Sequence, residues 1–316
     1  MSLTKEVVGA SYLLGQPDLE QPPRPMKADE VKYVIISPVR DEEKHIAHLL
    51  RSVAAQTIRP AEWVIVDDGS TDRTGEILDQ YARHYPWIRV LHRTNRGFRK
   101  AGGGVMTAFY DGYRVLQCED WDFIVKLDGD LTFTPEYFQR CFEHFQSDPK
   151  LGIGGGDIYH EIDRKLCLES NPRFHVRGAT KIYSRKCWEA IGGLWPAAGW
   201  DTIDEVKANM LGWKTYSFSD LRLVHHRFTG AADGLIRDRI KYGEVCYVSG
   251  YHPLFVLARC VYRLAQKPYL IGSLATLYGF LRAYLTHVPR VEDPPYIAYI
   301  RSQQLRRLFG LQTIWR

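Results

Sequence analysis

The sequence predicts an α/β fold in which one mostly parallel sheet is flanked by helices. Apolar runs of strand length alternate with amphipathic segments of helical spacing along residues 31–130. The loops that follow these runs carry most of the polar and acidic residues. Such alternation is typical of β-α-β units, whose parallel strands hold ligands at their carboxyl ends.

Apolar runs rich in β-branched residues predict the strands, and apolar residues three or four positions apart predict the helices. The predicted strands are residues 31–37, 62–66, 88–92, 123–127, 151–158, 177–184 and 216–224. The predicted helices are residues 42–57, a segment through Ile77, Leu78 and Tyr81, a segment ending at Cys118, and residues 135–145, 186–192 and 200–211. Ser70 or Thr71 is expected to cap the second helix. The glycines of residues 151–158 indicate either a strand or a close backbone approach.

Length and composition indicate a globular protein with a sizeable core. The chain has 316 residues, of which 45% are hydrophobic and 25% charged. Residues 1–30 contain the run Gln-Pro-Pro-Arg-Pro and are expected to form an extended leader. We expect residues 31–230 to form the sheet domain and residues 231–316 a helical C-terminal extension.

Cysteine use and hydropathy bear on location. The six cysteines are scattered without any Cys-x-x-Cys pair, which is typical of reduced thiols in the cytoplasm. Residues 1–30 lack an apolar signal segment, and no run of 18 uncharged apolar residues occurs. We therefore expect a cytoplasmic protein.

The C-terminal extension is basic and aromatic. Residues 231–316 hold 12 Lys and Arg against 5 Asp and Glu. Within them, residues 268–281 form an apolar stretch that is too short to span a bilayer comfortably. The stretch is either an interfacial helix, in peripheral contact with an anionic membrane at its inner face, or a buried core helix. A solvated basic face is the simpler account of the charge.

The stretch Asp128-Gly129-Asp130 ends the apolar run 123–127. Two carboxylates at the carboxyl end of a buried strand suit a hard divalent cation, Mg²⁺ or Mn²⁺. The alternative is a turn in which Gly129 bends the chain and both acids are solvated.

Three further motifs stand in order with this one. They are Ser37-Pro38-Val39-Arg40-Asp41-Glu42-Glu43, Val66-Asp67-Asp68-Gly69-Ser70, and Asp201-Thr202-Ile203-Asp204-Glu205 with Gly212-Trp213 following. Together the four motifs over residues 31–228 resemble the family 2 glycosyltransferases of the A-type (GT-A) fold. The resemblance implies a single Rossmann-like sheet that binds a nucleotide-diphosphate sugar.

The resemblance also implies roles for particular residues. Asp130 would ligate the metal, and Asp128 would contact the ribose or the same ion. Asp68 would accept a hydrogen bond from the base, and Asp67 would help to hold that pocket. Pro38 and Glu42 would line the nucleotide end. The alternative for the Asp67-Asp68 pair is a helix cap, which can coexist with a ligand contact.

A basic, glycine-rich loop at residues 93–104 precedes a predicted helix. Backbone N–H groups at a helix start, with Arg96, Arg99 and Lys100, would suit the diphosphate, although a solvated loop is the alternative. The pair His225-His226 follows the last predicted strand. Members of the fold often add a late histidine to the metal, so His226 is the expected ligand, against an ordinary strand-end pair.

Asp201 lies where the family places its catalytic base, counting back from Gly212-Trp213. Inverting transfer needs a carboxylate to deprotonate the acceptor hydroxyl. Asp204 and Glu205 remain alternatives because the family more often has Glu-Asp where this chain has Trp200-Asp201. A third option is that Asp201 only caps the helix.

These expectations describe a metal-dependent, inverting, hexosyltransferase-like enzyme. The expected acceptor is a cell-surface glycan or a lipid-linked saccharide, and no nucleic acid is expected as a partner. A nucleotidyltransferase of similar fold would carry a glycine-rich motif on its first strand, which Ser37-Pro38-Val39-Arg40 does not resemble. A non-catalytic membrane or nucleic-acid binding protein would show no metal-dependent nucleotide binding.

Overall fold

The structure is a computed structural model, and it describes residues 31–95, 103–162, 165–227, 234–265 and 268–315. The predicted leader, residues 1–30, lies outside the described residues. The strands are β1 (Tyr33–Val39), β2 (Glu62–Asp67), β3 (Ile88–His92), β4 (Phe123–Leu127), β5 (Leu131–Phe133), β6 (Leu151–Ile162), β7 (Lys165–Leu168), β8 (Thr180–Ser184) and β9 (Lys214–His225). The helices are α1 (Ile46–Ala54), α2 (Thr74–His84), α3 (Gly103–Arg114), α4 (Tyr137–Ser147), α5 (Arg185–Ile191), α6 (Trp200–Met210), α7 (Leu235–Val248), α8 (Pro253–Tyr262), α9 (Tyr269–Leu285) and α10 (Pro294–Leu308).

The N-terminal half of the sheet is parallel and runs in the order β3-β2-β1-β4. Side chains alternate across it, as the period of a strand requires. Along β1, Tyr33 and Ile35 join the core under α1 and α2, whereas Val34 and Ile36 join the core under α3 and α5. Both faces of these strands are therefore covered by helices, which explains their continuous apolar runs.

Beyond β4 the sheet becomes mixed and continues as β8-β6-β9-β5, with β7 paired to β6. Here the glycines of β6 allow close packing on both faces. A Cβ at Gly154 would come within 2.5 Å of the Phe218 ring, and one at Gly155 within 2.7 Å of the Thr180 carbonyl. The predicted strand and the predicted close approach are therefore both present. Two strands, β5 and β7, were not expected because each has four residues or fewer.

Helix α2 begins at Thr74, later than predicted, and neither Ser70 nor Thr71 caps it. Asp72 Oδ1 accepts the Thr74 N–H at 2.9 Å instead. Ser70 is engaged elsewhere, because its Oγ accepts the Asp41 N–H at 3.0 Å. The residue that accepts a hydrogen bond at the start of α2 is therefore Asp72, not the predicted Ser70 or Thr71.

The C-terminal extension forms a layer of helices, α7 to α10, with a separate apolar core. Ile203 and Val206 of α6 enter this core, so α6 contacts both the sheet and the helical layer. Within the described residues, no helix combines the length and the apolar character needed to cross a membrane. The division of the chain near residue 230 remains a prediction.

Helices α7 and α9 cross at two glycines. A Cβ on Gly243 would lie 2.0 Å from the Thr276 carbonyl oxygen, and a Cβ on Gly279 would lie 2.0 Å from the Ile240 carbonyl oxygen. Backbone atoms cannot rotate aside as a flexible side chain can. Glycine at these positions therefore sets how closely the two helices pack.

The Gly243→Ala substitution should destabilise the protein by about 1–3 kcal/mol, the usual cost of overpacking a tight core. The added methyl group must push α9 away from α7. Chemical denaturation with circular dichroism measures the change. Leu274→Ala, at a position of α9 that is 55% exposed, is the control and should change stability much less. Equal stability of Gly243→Ala and wild type would contradict the close crossing.

Candidate active site

Three of the four motifs meet at one edge of the sheet. β2, β1 and β4 are adjacent and parallel, so the residues that follow them lie at a common carboxyl edge. Open α/β sheets bind ligands at this edge. The sheet thereby brings together acidic loops that are separated by many residues in sequence.

Asp67 and Gly69 shape the turn that follows β2. Asp67 is buried, and its Oδ2 lies 2.9 Å from His92 Nδ1 while its Oδ1 accepts the Ser70 N–H. Gly69 has a φ of 72°, and a Cβ there would lie 2.5 Å from the Asn95 Cα. Both the backbone conformation and the lack of space require glycine. Asp67 thus organises the turn from within.

Asp68 lies beside Asp67 but has different partners. Its Oδ1 accepts a hydrogen bond from Arg93, whose Nε lies 3.0 Å from Asp111 Oδ2 of α3. The Asp68 side chain is 12% exposed. This ion pair fixes the carboxylate at the rim of the turn.

The first motif closes the same edge. Pro38 is half-buried within β1, where it pairs with Val66. Glu42 is buried, its N–H donates to Thr74 Oγ1 at 2.8 Å, and its Oε2 accepts from Arg227 at 2.7 Å. Glu42 therefore joins the first motif to the segment that follows β9.

Asp128 and Asp130 follow β4 on either side of Gly129. Lys126, buried within β4, donates to Asp128 and, at 2.6 Å, to the carbonyl of Gly178. A Cβ on Gly129 would lie 2.9 Å from the Val39 side chain, so glycine lets the turn pack on the end of β1. Lys126 thereby holds the Asp128 carboxylate at the end of β4.

The structure brings His225, rather than His226, to the acidic pair. β5 pairs antiparallel with β9, and Leu131 lies opposite His225. His225 Nε2 lies 3.1 Å from Asp130 Oδ1. His226 points elsewhere, with its Nε2 3.0 Å from Thr132 Oγ1 and its ring stacked on His45. Neighbouring side chains of a strand face opposite sides, so only one of the two histidines can face Asp130.

The group of Asp128, Asp130 and His225 has the chemistry of a divalent cation site. One ligand atom from each lies within 4.8 Å of the others. The Nδ1 of His225 is buried without a hydrogen-bond partner among the described residues. Two carboxylates with an imidazole suit Mn²⁺, and carboxylates alone also suit Mg²⁺. The residues present therefore fit the expected ion.

The pKa values of the two carboxylates in this group are shifted in opposite directions. Burial raises the pKa of Asp128, Lys126 opposes that rise, and Asp130 adds to it. Burial also acts to raise the pKa of Asp130, but the hydrogen bond and charge of His225 outweigh it, and that pKa lies below its ordinary value. Asp130 is therefore the better preformed anion of the two.

A second group adjoins the first. His160 Nδ1 donates to the backbone carbonyl of His225 at 3.2 Å, and His160 Nε2 lies 3.3 Å from Glu169 Oε2. Glu169 Oε1 in turn contacts Arg177 at 2.6 Å. These residues support the backbone of His225 from behind, and no sequence motif indicated them.

Asp201 lies at the second position of α6 and does not cap it. The cap is Gly199, whose φ is 88°, and it makes no side-chain hydrogen bond. The carboxylate is half-buried at the start of the helix. A Cβ on Gly178 would lie 3.3 Å from the Asp201 Cβ, and the Gly178 carbonyl accepts from Lys126. Lys126 thus lies between Asp201 and the Asp128-Gly129-Asp130 turn.

The two alternative bases, Asp204 and Glu205, lie in a buried ion cluster. Lys181 Nζ lies 2.9 Å from Asp204 Oδ2 and 2.8 Å from Glu205 Oε1. Tyr183 donates to Asp204, and His175 Nδ1 lies 2.7 Å from Glu205 Oε2. Both acids are almost fully buried, so neither offers its carboxylate to an acceptor.

Charges within the cluster depend on each other. Burial raises the pKa of Asp204 to about 6, although Lys181 acts in the opposite direction. Burial alone would lower the pKa of Lys181, but Asp204 and Glu205 outweigh it and raise that pKa. These ion pairs hold α6 against β8. Each buried charge in the cluster is stable only while its partners are present.

The remaining predicted contacts, Arg96, Arg99 and Lys100, lie outside the described residues. α3 begins at Gly103, just after them. Sequence reasoning named the His225-His226 pair but chose His226, and it assigned no role to Arg227 or Lys181. For Lys181 a signal existed, since a lysine inside an apolar strand run needs a buried counter-charge.

Comparison with known proteins decides the family. The sequence model of Glycosyl transferase family 2 matches residues 34–196, half of the chain. This chain belongs to glycosyl transferase family 2. It is 30% identical over 131 residues to the uncharacterized glycosyltransferase EpsJ of Bacillus subtilis, covering 42% of this chain and 35% of EpsJ. It is 32% identical over 140 residues to the chondroitin synthase of Escherichia coli, covering 43% of this chain and 18% of the synthase. The chain therefore matches under half the length of each of these relatives.

Solved structures show the same fold. S. aureus TarS 1–349 in complex with UDP-GlcNAc superposes with a TM-score of 0.52 at 19% identity, covering 87% of this chain and 81% of TarS. The mannosyltransferase PcManGT from Pyrobaculum calidifontis, in complex with GDP-Man and Mn²⁺, gives 0.51 at 16% identity, covering 89% of this chain and 88% of PcManGT. The GT-A fold expected from the motifs is confirmed.

Lys181→Met should destabilise the protein by about 3–5 kcal/mol, because it leaves two buried carboxylates without their counter-charge. The deficit should shrink as the pH falls from 7 towards 5. Asp204, whose pKa is raised by burial, takes up a proton in the folded state before it does so in the unfolded state, which stabilises the folded state at lower pH.

Denaturant melts at several pH values measure this effect. The control is Lys214→Met, which removes a surface pair with Asp148 and should cost at most about 1 kcal/mol. If Lys181→Met is as stable as the control at pH 7, the ion cluster does not hold α6 on the sheet.

Proposed function

We propose that this chain is a metal-dependent, inverting glycosyltransferase that uses a nucleotide-diphosphate sugar. One observation carries the proposal. Asp128, Asp130 and His225 converge at the same sheet edge as the Asp67-Asp68 turn and the start of α6. A nucleotidyltransferase or a non-catalytic binding protein does not account for family membership together with this arrangement.

The donor would lie across the carboxyl edge. In this proposal Asp68 accepts a hydrogen bond from the base, while Asp67 holds the turn and Pro38 and Glu42 line the nucleotide end. Asp128 contacts the ribose or the ion. The complexes of TarS with UDP-GlcNAc and of PcManGT with GDP-Man and Mn²⁺ support a nucleotide sugar for this fold. The sugar and base of this chain's own donor stay open.

Asp128, Asp130 and His225 are the proposed metal ligands. A bound Mn²⁺ or Mg²⁺ would supply Lewis-acid stabilisation of the negative charge on the diphosphate leaving group. Arg96, Arg99 and Lys100 are proposed to add positive charge beside that diphosphate. Arg227, held by Glu42 at 2.7 Å, is a further cation close to the same edge.

Asp201 is the proposed base. Its half-buried carboxylate at the start of α6 is the one acid of the fourth motif that an acceptor hydroxyl can reach, as a general base requires. As the acceptor oxygen forms its bond to the anomeric carbon, its proton passes to the Asp201 carboxylate. The bond from that carbon to the diphosphate breaks on the opposite face, and its electron pair leaves with the diphosphate. This geometry inverts the anomeric configuration.

The proposed acceptor is a cell-surface glycan or a lipid-linked saccharide. The name of the E. coli relative, chondroitin synthase, supports a growing glycan. A lipid-linked acceptor would need the protein to make peripheral contact with the inner face of an anionic membrane. That contact is part of this proposal.

Asp201→Asn should lower sugar transfer by roughly 10²–10⁴-fold, the usual contribution of a general base. Shape is kept and the base is lost, so donor affinity should survive. Transfer rate and nucleotide affinity are measured on the same preparation. Glu189→Gln, an exposed acid on α5, is the matched control and should transfer sugar normally. Near-normal sugar transfer by Asp201→Asn would show that Asp201 is not the base. Loss of nucleotide binding in this variant would instead place Asp201 in the donor pocket.

Asp130→Ala should abolish the Mn²⁺ dependence of nucleotide affinity. His225→Ala should weaken that affinity roughly tenfold or more, since even outer contacts of metal sites have effects of this size. Titration calorimetry with UDP and GDP, with and without Mn²⁺, measures both. His226→Ala is the matched control and should bind as wild type does. A larger loss in His226→Ala than in His225→Ala would restore His226 as the ligand.

A further inference from the structure

Helices α8 and α9 each expose a continuous apolar face. On α8 the exposed residues follow a spacing of three and four, and on α9 they follow spacings of three to four over four turns. We call them together the docking face: Leu254, Leu257, Val261, Leu270, Leu274, Tyr278, Leu281 and Leu285. Each of these side chains is at least 48% exposed. Contiguous apolar surface of this extent is typical of an interaction site.

The opposite faces of both helices are already buried. Phe255, Val256 and Cys260 of α8 and Phe280 of α9 lie in the core shared with α7 and α10. The two helices also touch directly, since Ser273 Oγ donates to the Cys260 carbonyl at 2.8 Å. Packing among the described residues therefore leaves the docking-face side chains uncovered.

The chain segment that carries the docking face is basic. Between residues 245 and 291 the sequence contains five Lys and Arg and no Asp or Glu. Arg282 and Arg290 are exposed. Exposed tyrosines complete the surface, with Tyr262 at 76% and Tyr269 at 56%. Basic residues with tyrosines around an apolar face match the headgroup region of an anionic bilayer.

We propose that the docking face lies in the interfacial region of an anionic membrane, with α8 and α9 parallel to its surface. A symmetric contact between two copies would place the basic residues of this segment against each other. A spanning arrangement lacks a helix of sufficient length among those described. The bilayer is therefore the occupant that satisfies both the apolar area and the charge.

The docking face is coupled to the candidate active site through α6. Ile203 and Val206 of α6 pack in the same core as α8 and α9, and Asp201 lies at the start of that helix. Membrane contact would then fix the orientation of Asp201 relative to the bilayer. This last step rests on the proposed function, and it favours an acceptor that is presented by a lipid.

Flotation of the full chain with vesicles tests the docking face. Vesicles of phosphatidylcholine alone are compared with vesicles that also contain phosphatidylglycerol, without donor or metal. Wild type should bind the anionic vesicles about tenfold or more tightly than the neutral ones, and added salt should weaken this binding. The double variant Leu274→Glu with Leu281→Glu should lose about tenfold or more of it.

The matched control is Leu166→Glu with Leu168→Glu, which adds the same charge at exposed apolar positions of β7. It should bind vesicles as wild type does. Thermal melts confirm that both variants fold. Equal binding by the two double variants, or no binding by wild type, would overturn the proposal. A dimer in sedimentation velocity that the α9 variant abolishes would also overturn it and assign the face to a second copy.

The outcome is independent of catalysis. Asp201→Asn should float with anionic vesicles as wild type does, because it leaves the docking face unchanged. If wild type fails to float but transfers sugar to a soluble acceptor, the docking face and the membrane contact are both wrong, while the proposed sugar transfer stands. Loss of transfer with retained flotation would count against the proposed function alone.

Discussion

The geometry of this protein depends on one buried ion cluster, in which Lys181 of β8 holds Asp204 and Glu205 of α6. It fixes the rotation and the position of α6 on the sheet, and so decides where Asp201 lies. The same helix contributes Ile203 and Val206 to the core of the C-terminal layer. Charges buried at this depth are stable only when every partner is present, so the cluster favours a single arrangement of the helix. Asp204 and Glu205, which follow Asp201 in sequence, therefore position it on the sheet.

The candidate metal site depends on a different constraint, the pairing of the three-residue strand β5 with β9. Leu131 opposite His225 sets the register, and the alternation of side chains then turns His225 towards Asp130 and His226 away. Behind it, His160 of β6 contacts the backbone and ring of His225, and Glu169, which follows β7, contacts His160. A site assembled from β4, β5 and β9 therefore relies on the mixed half of the sheet. The nucleotide turn, in contrast, is built within the parallel half.

Lys126 connects these parts. Its ammonium group contacts Asp128 and the Gly178 carbonyl and lies 5.2 Å from the ring centroid of Trp200. Trp200 also lies 5.5 Å from Lys181, so one ring contacts both buried lysines, which are paired directly between β4 and β8. Asp201 follows Trp200 directly. The base candidate and the metal candidates are thus tied together through a lysine whose only sequence signal was an interruption of an apolar strand.

The sequence by itself determined the alternation of strands and helices, the limits of β4 and the four acidic motifs, because local periodicity and strand-end chemistry are written in consecutive residues. The match to glycosyl transferase family 2 confirmed the family that the four motifs predicted. Only the tertiary structure separated His225 from His226, since that choice needs the register of two strands far apart in sequence. It also showed that Asp204 and Glu205 are buried while Asp201 is not. Their burial depends on the pairing with Lys181 of β8, which no pattern within α6 reveals. β5 and β7 escaped prediction for the same reason, as strands this short form only through their pairing partners.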